Sequence, residues 1–175
     1  MLEIIKKRRS IRKYQAKEVK KIKLDEILKA AMFAPSAMHR RPWEFVAVKD
    51  PQTKEKLSLA TPYSSFAKDA PVIIVLCADQ TTDPRWVEDL SIAAAHIYLE
   101  ATNQGLGTCF IQIGIQIGET KTPEGGSGED YVREIIKAPK NIRILCLMPL
   151  GYPAEEKEEH RDSEFDKSKI HEEQW

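Results

Sequence analysis

The stretch PVIIVLCA, from Pro71 to Ala78, is an uninterrupted apolar run. Its length suits a β-strand, and the lack of polar alternation is typical of a strand buried on both faces. Shorter apolar runs predict three more strands, at WEFVAV (43–48), TCFIQI (108–113) and IRILCLM (142–148). No run approaches the roughly 18 apolar residues that a membrane span needs, so we expect no association with a membrane.

Apolar residues at helical spacing predict two helices around these strands. The first runs from Lys23 and ends before Pro35, because proline disfavours helical geometry in the preceding residue. The second is the longest. It is expected to use Asp83 as its N-cap, to carry Pro84 at its first position and to end at Gly105. A further short helix is expected after the capping-box-like residues Ser127 and Asp130, and it should stop near Pro139.

Composition limits the class of protein. The 175 residues, 42% of them hydrophobic, suffice for one domain with a core but not for two ordinary domains. The 27 Lys and Arg residues balance 27 Asp and Glu residues, whereas nucleic-acid-binding domains normally carry a broad basic excess. We therefore expect no nucleic-acid partner.

The three cysteines, Cys77, Cys109 and Cys146, all lie in apolar runs and show no Cys-x-x-Cys spacing. This pattern favours buried reduced thiols over disulfides or a zinc site. The first residues, MLEIIKKRRS, also lack the apolar segment of a signal peptide. Both observations predict a cytoplasmic protein.

The stretch RRSIRKY, Arg8 to Tyr14, concentrates three guanidinium groups and a hydroxyl in residues 8–12. In an extended segment Arg8, Ser10 and Arg12 project to one side. A guanidinium group can bind a phosphate through two hydrogen bonds, and the hydroxyl can donate one more. The stretch therefore fits a pocket for a small, multiply charged anion, with a solvated basic patch as the alternative.

Other motifs have simpler interpretations. Gly105 and Gly107 follow a helix and precede a strand, the reverse of a dinucleotide-binding fingerprint, so they indicate a helix end and a turn. The glycines at 125, 126 and 128 lack the Lys and Ser or Thr of a P-loop and indicate a flexible loop. The four histidines show no metal-ligand spacing, and no serine or cysteine lies in a nucleophile motif. We expect neither a metal site nor a hydrolase.

Four motifs occur in order along nearly the whole chain: RRSIRKY, APSAMHRRPWEFVAV, ATNQGLGTCFIQIG, and PLGYPAEE followed by an arginine and the terminal IHEEQW. Together they resemble the nitroreductase family of FMN-dependent flavoenzymes, in its compact form. The resemblance implies an α+β fold, with a mainly antiparallel central sheet flanked by helices. It also implies an obligate homodimer with two FMN sites at the subunit interface.

The residues that match the family's motifs are grouped by the part of the site they would form. The FMN phosphate would be held by Arg8, Arg9, Ser10, Arg12 and Arg161. The segment that reaches the flavin from the partner subunit matches Pro35, Ser36, Ala37, Met38 and His39. The flavin ring would lie beside Gln112, Ile113 and Gly114, with Pro149, Leu150 and Gly151 along its other edge. Aromatic candidates for the substrate lip are Tyr63, Phe66 and Trp86, with core or loop packing as the alternative.

Three positions depart from the family pattern. His39 and His96 stand where asparagine is usual, and Arg41 stands where glutamine is usual. His96 is most simply a packed or capped histidine of the core. These departures bear on the flavin and substrate contacts rather than on the fold.

The activity implied by the resemblance is hydride transfer from NADH or NADPH, through flavin N5, to a nitroaromatic, a quinone or a similar small oxidant. Both ligands would use one flavin face in turn, which is a ping-pong mechanism. The alternatives are an FMN-binding storage or regulatory protein, a specialised flavin reductase or dehalogenase of the same fold, and a basic-armed interaction protein without a cofactor.

The last residues change in character. We divide the chain into a flavin-binding domain at residues 1–154 and a C-terminal extension at residues 155–175, which is acidic and has few apolar side chains. Such a segment cannot build a core of its own. Ile170 and Trp175 suggest docking anchors, so the extension is expected to pack across the partner subunit rather than fold back.

Overall fold

The computed structural model describes residues 2–114 and 122–175. Their central feature is an antiparallel sheet. Its five strands are β1 (Trp43–Val48), β2 (Val72–Asp79), β3 (Gly107–Thr108), β4 (Ile111–Gln112) and β5 (Ile142–Gly151). β2 pairs with β1 and with β5, and both β3 and β4 also pair with β5. The same residues form the helices α1 (Leu2–Lys7), α2 (Lys21–Met32), α3 (Pro51–Leu57), α4 (Trp86–Asn103) and α5 (Gly128–Ile136). The predicted α+β fold with a mainly antiparallel sheet is confirmed.

β2 is buried on both faces, as its apolar run predicts. Because side chains alternate along a strand, Ile74 and Leu76 pack in one core cluster with α2 and α4. Ile73 and Val75 pack in a second cluster with α3 and α5. Each of these side chains stabilises the fold by about 1.5–3 kcal/mol on burial, and a polar residue on either face would lose that contribution. Helices therefore cover the sheet on both sides.

The start of α4 differs from the prediction. The helix begins at Trp86, and Asp83 does not cap it. One Asp83 carboxylate oxygen accepts the backbone N–H of Arg85 at 2.8 Å. The carboxylate also pairs with the guanidinium groups of Arg85, at 3.0 Å, and Arg40, at 3.4 Å. The Asp83 carboxylate therefore bonds to the turn before the helix and to Arg40 of a distant segment, and the N-cap position falls at Arg85.

The other helix limits follow local signals. α2 ends at Met32, before Pro35, and Gly105 has a φ of +72°, the left-handed conformation expected of glycine at the end of α4. The Ser127 hydroxyl accepts the N–H of Asp130 at 3.3 Å and caps α5, as the capping-box-like sequence SGED indicates.

Two helices and one strand break were not predicted. α1 is short, and none of its residues is buried. α3 opens at Pro51 with Asp50 as its N-cap, which accepts the N–H of Thr53 at 2.8 Å. The predicted strand 108–113 is divided into β3 and β4, because the backbone leaves the ladder with β5 at residues 109 and 110.

The three cysteines are buried free thiols, as their apolar surroundings predict. Burial raises the pKa of Cys77 to about 12 and raises the pKa of Cys146 well above its ordinary value. Both thiols therefore stay protonated at neutral pH, and neither is a nucleophile. Within residues 2–114 and 122–175, no helix has the length and apolar content needed to cross a bilayer.

The first part of the C-terminal extension, residues 155–164, makes hydrogen bonds to its own chain. The Glu155 carboxylate accepts the N–H groups of Arg12, at 2.6 Å, and Lys13, at 3.1 Å. The backbone N–H of His160 donates to the backbone carbonyl of Lys6 at 3.0 Å. Residues 155–164 therefore fold back along the amino-terminal segment, because its N–H and C=O groups give the polar extension hydrogen-bond partners.

The remaining residues, 165–175, carry exposed apolar groups. Phe165 is 64% exposed, Ile170 is 55% exposed, and Trp175 is fully exposed and stacks only on His171, at 4.3 Å between ring centres. The prediction that the extension crosses the partner subunit now concerns this part of the chain.

Glu129 gives a stability prediction. Its carboxylate accepts hydrogen bonds from Arg143, at 2.7 and 3.0 Å, from Arg133, at 3.0 Å, and from the N–H of Ile144, at 2.9 Å. We expect Glu129→Gln to lower the free energy of unfolding by about 1–2 kcal/mol, because the amide removes the charge and turns a donor toward the guanidinium groups. Urea unfolding measures the change.

The matched control is Glu134→Gln, an exposed carboxylate on the same helix, which should unfold like the wild type. Equal unfolding midpoints for both variants would show that the Glu129 network adds nothing to stability.

Candidate active site

The arginine segment, residues 8–12, lies against β3. Ser10 forms a parallel bridge with Thr108, and Ile11 donates its N–H to the Thr108 carbonyl at 3.0 Å. Ile11 is buried, so the alternation of the extended backbone turns the side chains of residues 8, 10 and 12 away from that core position. The Arg8 guanidinium lies 5.0 Å from the Tyr98 ring centre, and the Ser10 hydroxyl lies 3.3 Å from the Tyr98 hydroxyl. Arg8 and Ser10 thus both approach Tyr98.

Arg12 lies at a cavity of about 290 Å³ with aromatic walls, which we call the aromatic cavity. Its guanidinium is 6.0 Å from the Phe66 ring centre. Tyr63, Phe110 and Gln112 also line this cavity. One cavity thus brings together residues that are distant in the sequence: the phosphate-site candidate Arg12, the ring-site candidate Gln112, and the lip candidates Tyr63 and Phe66.

Arg161 lies at a second cavity of about 470 Å³, which we call the amino-terminal cavity and which Arg8 also lines. The Arg161 side chain is exposed and pairs with the Glu158 carboxylate at 2.6 Å. Arg9 turns the other way from Arg8 and donates to the Glu158 carbonyl. The five phosphate-site candidates therefore do not line one cavity. Arg12 lines the aromatic cavity, and Arg8 and Arg161 line the amino-terminal cavity. Arg9 binds the extension, and Ser10 lies between Arg8 and Arg12 in the sequence.

The loop of residues 35–41 has a constrained backbone. Met38, His39 and Arg41 have positive φ angles of 49°, 59° and 51°, a conformation that is uncommon outside glycine. The loop is held by the N–H of Ala37, which donates to Asp89 at 2.9 Å, and by the N–H of Arg41, which donates to the Ser36 hydroxyl at 3.0 Å. Pro35, Met38 and His39 are exposed, and residues 35–39 line neither cavity of their own chain.

The other ring-site candidates lie deeper than a surface pocket. Pro149, Leu150 and Gly151 belong to the buried end of β5, where a Cβ on Gly151 would lie 2.5 Å from Pro71. The side chains of Pro149 and Leu150 therefore do not reach either cavity. Ile113 and Gly114 are also buried. Contacts from these positions to a ligand would have to come from the backbone.

Trp86 and His96 make packing and hydrogen-bond contacts within the fold. Trp86 is 6% exposed and packs in the core, with the Arg143 guanidinium 5.0 Å from its ring centre, which favours packing over a place at the substrate lip. His96 is hydrogen-bonded through Nδ1 to the carbonyl of Ala30 at 2.9 Å, which links α4 to α2. This agrees with the interpretation of His96 as a packed histidine.

The donors and walls suit a phosphate-bearing aromatic ligand such as FMN. The Arg12 guanidinium supplies charge and hydrogen bonds for a phosphate at the aromatic cavity, whose walls are flat and apolar, while Arg8 lies at the amino-terminal cavity on the other side of Ser10 in the sequence. The buried Thr108 hydroxyl, next to Ser10 in the bridge, has no hydrogen-bond partner among the described residues. A buried polar group left without a partner is often completed by a ligand or water. Within the described residues, no group of three or more His, Cys, Asp or Glu side chains is arranged to hold a metal ion.

The family assignment rests on most of the chain's length. The sequence model of the nitroreductase family matches residues 5–61 and 57–152. The chain belongs to the nitroreductase family. An FMN-dependent nitroreductase from Clostridium difficile R20291 has 41% sequence identity, a TM-score of 0.93 and coverage of 100% of both chains.

Curated relatives match the chain at different levels of sequence identity. A Methanothermobacter thermautotrophicus protein with the provisional name NADH dehydrogenase/NAD(P)H nitroreductase is 41% identical over 178 residues, which are 100% of this chain and 87% of that protein. Iodotyrosine deiodinase 1 of Rattus norvegicus is more distant, with 26% identity over 185 residues, 87% of this chain and 61% of that protein.

Sequence reasoning missed Tyr98 and Phe110. Tyr98 occupies a position in the apolar stripe of α4, where its phenol signals a polar contact that an aliphatic residue would not make. The run TCFIQI predicts only a strand position for Phe110, whereas this residue helps to line the aromatic cavity. The break between β3 and β4 that exposes this ring has no sequence signal that we recognise.

Proposed function

We propose that this chain is an FMN-dependent oxidoreductase that transfers a hydride from NADH or NADPH to small oxidants such as nitroaromatics or quinones. The observation that carries the proposal is the pairing of the arginine segment with the aromatic cavity, with Arg12 belonging to both. Family membership and an FMN-dependent relative of the same length support it.

The roles of the chain's own residues follow from their chemistry. Arg8, Ser10 and Arg12 bind the phosphate through charge-assisted hydrogen bonds, which anchors and orients the cofactor. Phe66 and Phe110 exclude water from one wall of the aromatic cavity, and the half-buried Gln112 amide offers a hydrogen bond there. FMN, when bound, supplies the hydride chemistry, which is consistent with the lack of a nucleophile among these residues.

A homodimer is part of the proposal. Phe33 at the end of α2, Met38 in the constrained loop and Ile92 on α4 are exposed. These side chains offer apolar area that a dimer interface would bury. In a two-fold dimer the loop of residues 35–41 would reach the cofactor of the partner, which fits its place outside the aromatic and amino-terminal cavities of its own chain. The buried free thiols favour a reducing, cytoplasmic location.

A visible spectrum followed by anaerobic titration with each nicotinamide tests the function. We expect a yellow protein that NADH or NADPH bleaches. A colourless protein that ignores added FMN would favour the basic-armed interaction protein, and bound FMN that neither nicotinamide reduces would favour storage or regulation. The distant deiodinases make iodotyrosine a further oxidant to test, and rapid reoxidation by it alone would favour the dehalogenase.

Steady-state kinetics give a further prediction. Because one cavity serves both ligands in turn, double-reciprocal plots at several quinone concentrations should be parallel when the nicotinamide is varied. A stopped-flow experiment should show full reduction before the oxidant is added. Intersecting lines would indicate a ternary complex and a second binding site.

A further inference from the structure

Tyr98 of α4 contacts both sides of the proposed cofactor site. Its hydroxyl oxygen accepts the backbone N–H of Phe110 at 2.6 Å and lies 3.3 Å from the Ser10 hydroxyl. The Arg8 guanidinium lies 5.0 Å from the centre of its ring, within the range of a cation–π interaction. One half-buried side chain thus connects the arginine segment to the wall of the aromatic cavity.

The N–H of Phe110 needs this partner. The ladder with β5 is interrupted between the pairs Thr108–Leu150 and Ile111–Leu147, so the backbone at residue 110 has no strand opposite it. Tyr98 supplies the missing acceptor. Once the phenol oxygen accepts this N–H, its own proton is free to be donated. The Ser10 oxygen at 3.3 Å is an acceptor within reach, and the Cys109 thiol lies beside both hydroxyls. Burial raises the pKa of Tyr98, so the phenol keeps that proton at neutral pH.

This arrangement sets the direction of the Ser10 hydroxyl. If the Ser10 oxygen accepts from Tyr98, the serine proton turns outward and can be donated to an anion. We infer that Tyr98 is a positioning residue of the anion site, which orients the Ser10 hydroxyl as a donor and holds the Arg8 guanidinium for a phosphate group. The inference rests on the proposed function, in which that phosphate belongs to FMN.

The test compares the dissociation constants of the apoprotein for inorganic phosphate, FMN and riboflavin, which lacks the phosphate. Phosphate binding is followed by 31P NMR, and flavin binding by quenching of flavin fluorescence. Tyr98→Phe keeps the ring and removes the hydroxyl. It should raise the dissociation constants for phosphate and FMN about five- to tenfold and leave that for riboflavin unchanged. Tyr98→Leu also removes the ring beside Arg8 and should have a larger effect with the same selectivity.

Two further variants separate positioning from packing. Ser10→Ala leaves Tyr98 and Phe110 untouched and should give the same phosphate-selective loss. Adding Tyr98→Phe to Ser10→Ala should then cause little further loss, because the hydroxyl that Tyr98 orients is gone. Tyr131→Phe is the control, since its hydroxyl donates to the Lys56 carbonyl at 3.1 Å, far from this site in the fold.

The outcomes separate this inference from the proposed function. Wild-type affinity for FMN in Tyr98→Phe, or equal losses for FMN and riboflavin, overturns the positioning role and leaves the function standing. Wild-type affinity for phosphate and FMN in Ser10→Ala overturns the role even if Tyr98→Phe proves unstable. A Tyr98-dependent phosphate site in a protein that does not bind FMN supports the positioning role and overturns the proposed cofactor. A wild type that binds neither overturns both.

Discussion

Arg12→Ala is expected to raise the dissociation constant for FMN by about 10- to 100-fold. The side chain would lose a charge-assisted contact to phosphate of about 1.5–3 kcal/mol. The fold should be unaffected, because the side chain is exposed and the contact to Glu155 is made by the Arg12 backbone N–H, which alanine keeps. Flavin fluorescence titration of the apoprotein measures the change.

Neighbouring variants make the result specific. Lys13→Ala removes an exposed positive charge from the next residue, which alternation turns to the other side, and should bind FMN almost normally. Arg12→Lys keeps the charge but loses the planar fork, so its affinity should be intermediate. Arg161→Ala should weaken FMN binding in the same direction. Unchanged affinity in both arginine-to-alanine variants would overturn the phosphate assignment.

Deleting residues 165–175 is expected to raise the dissociation constant of the dimer by at least about 100-fold. Phe165, Ile170 and Trp175 are exposed on their own chain, and burial of each against the partner would contribute about 1.5–3 kcal/mol, twice per dimer. Because the proposed cofactor site is shared between subunits, FMN should also be released more readily on dilution. Analytical ultracentrifugation and flavin fluorescence measure the two effects.

Point variants show whether the apolar side chains of residues 165–175, rather than the mere presence of this segment, hold the dimer together. Trp175→Ser should reproduce part of the effect, whereas Glu172→Ser, at an exposed charged position of the same segment, should not. The isolated subunit should keep its fold after the deletion, since no core cluster includes these residues. A truncated protein that stays dimeric and fully yellow at low concentration would show that residues 165–175 are dispensable.

Local patterns predicted the elements whose stability depends on local features. The apolar run of β2 predicted burial on both faces because alternate side chains of one strand fill both core clusters. The Ser127 cap and Gly105 were recognisable because capping uses groups within a few residues. Asp50 and Pro51 carry the same kind of local signal, since an aspartate N-cap followed by proline is typical of the start of a helix such as α3.

Where the local sequence patterns did not match the structure, contacts with residues distant in the sequence are the reason. Asp83 has the sequence signature of an N-cap, but the Arg40 guanidinium from another segment shares its carboxylate. Residues 155–164 looked unable to order themselves, yet their backbone and acidic groups find N–H and C=O partners near residues 6–13. Trp86 is a candidate for the substrate lip with core packing as the alternative, and its position beneath Arg143 depends on how α4 packs on the sheet.

The sequence by itself determined the order of the main strands and of α2, α4 and α5, the two-sided burial of β2, the family and the cluster of arginines, because each is encoded in contiguous residues or ordered motifs. The tertiary structure decided which of those arginines share a cavity, and that Tyr98 joins the arginine segment to Phe110. These arrangements depend on residues far apart in the chain that meet only when α4 and the amino-terminal segment pack against the edge of the sheet. No local pattern encodes such contacts, since packing selects them only once the core has formed.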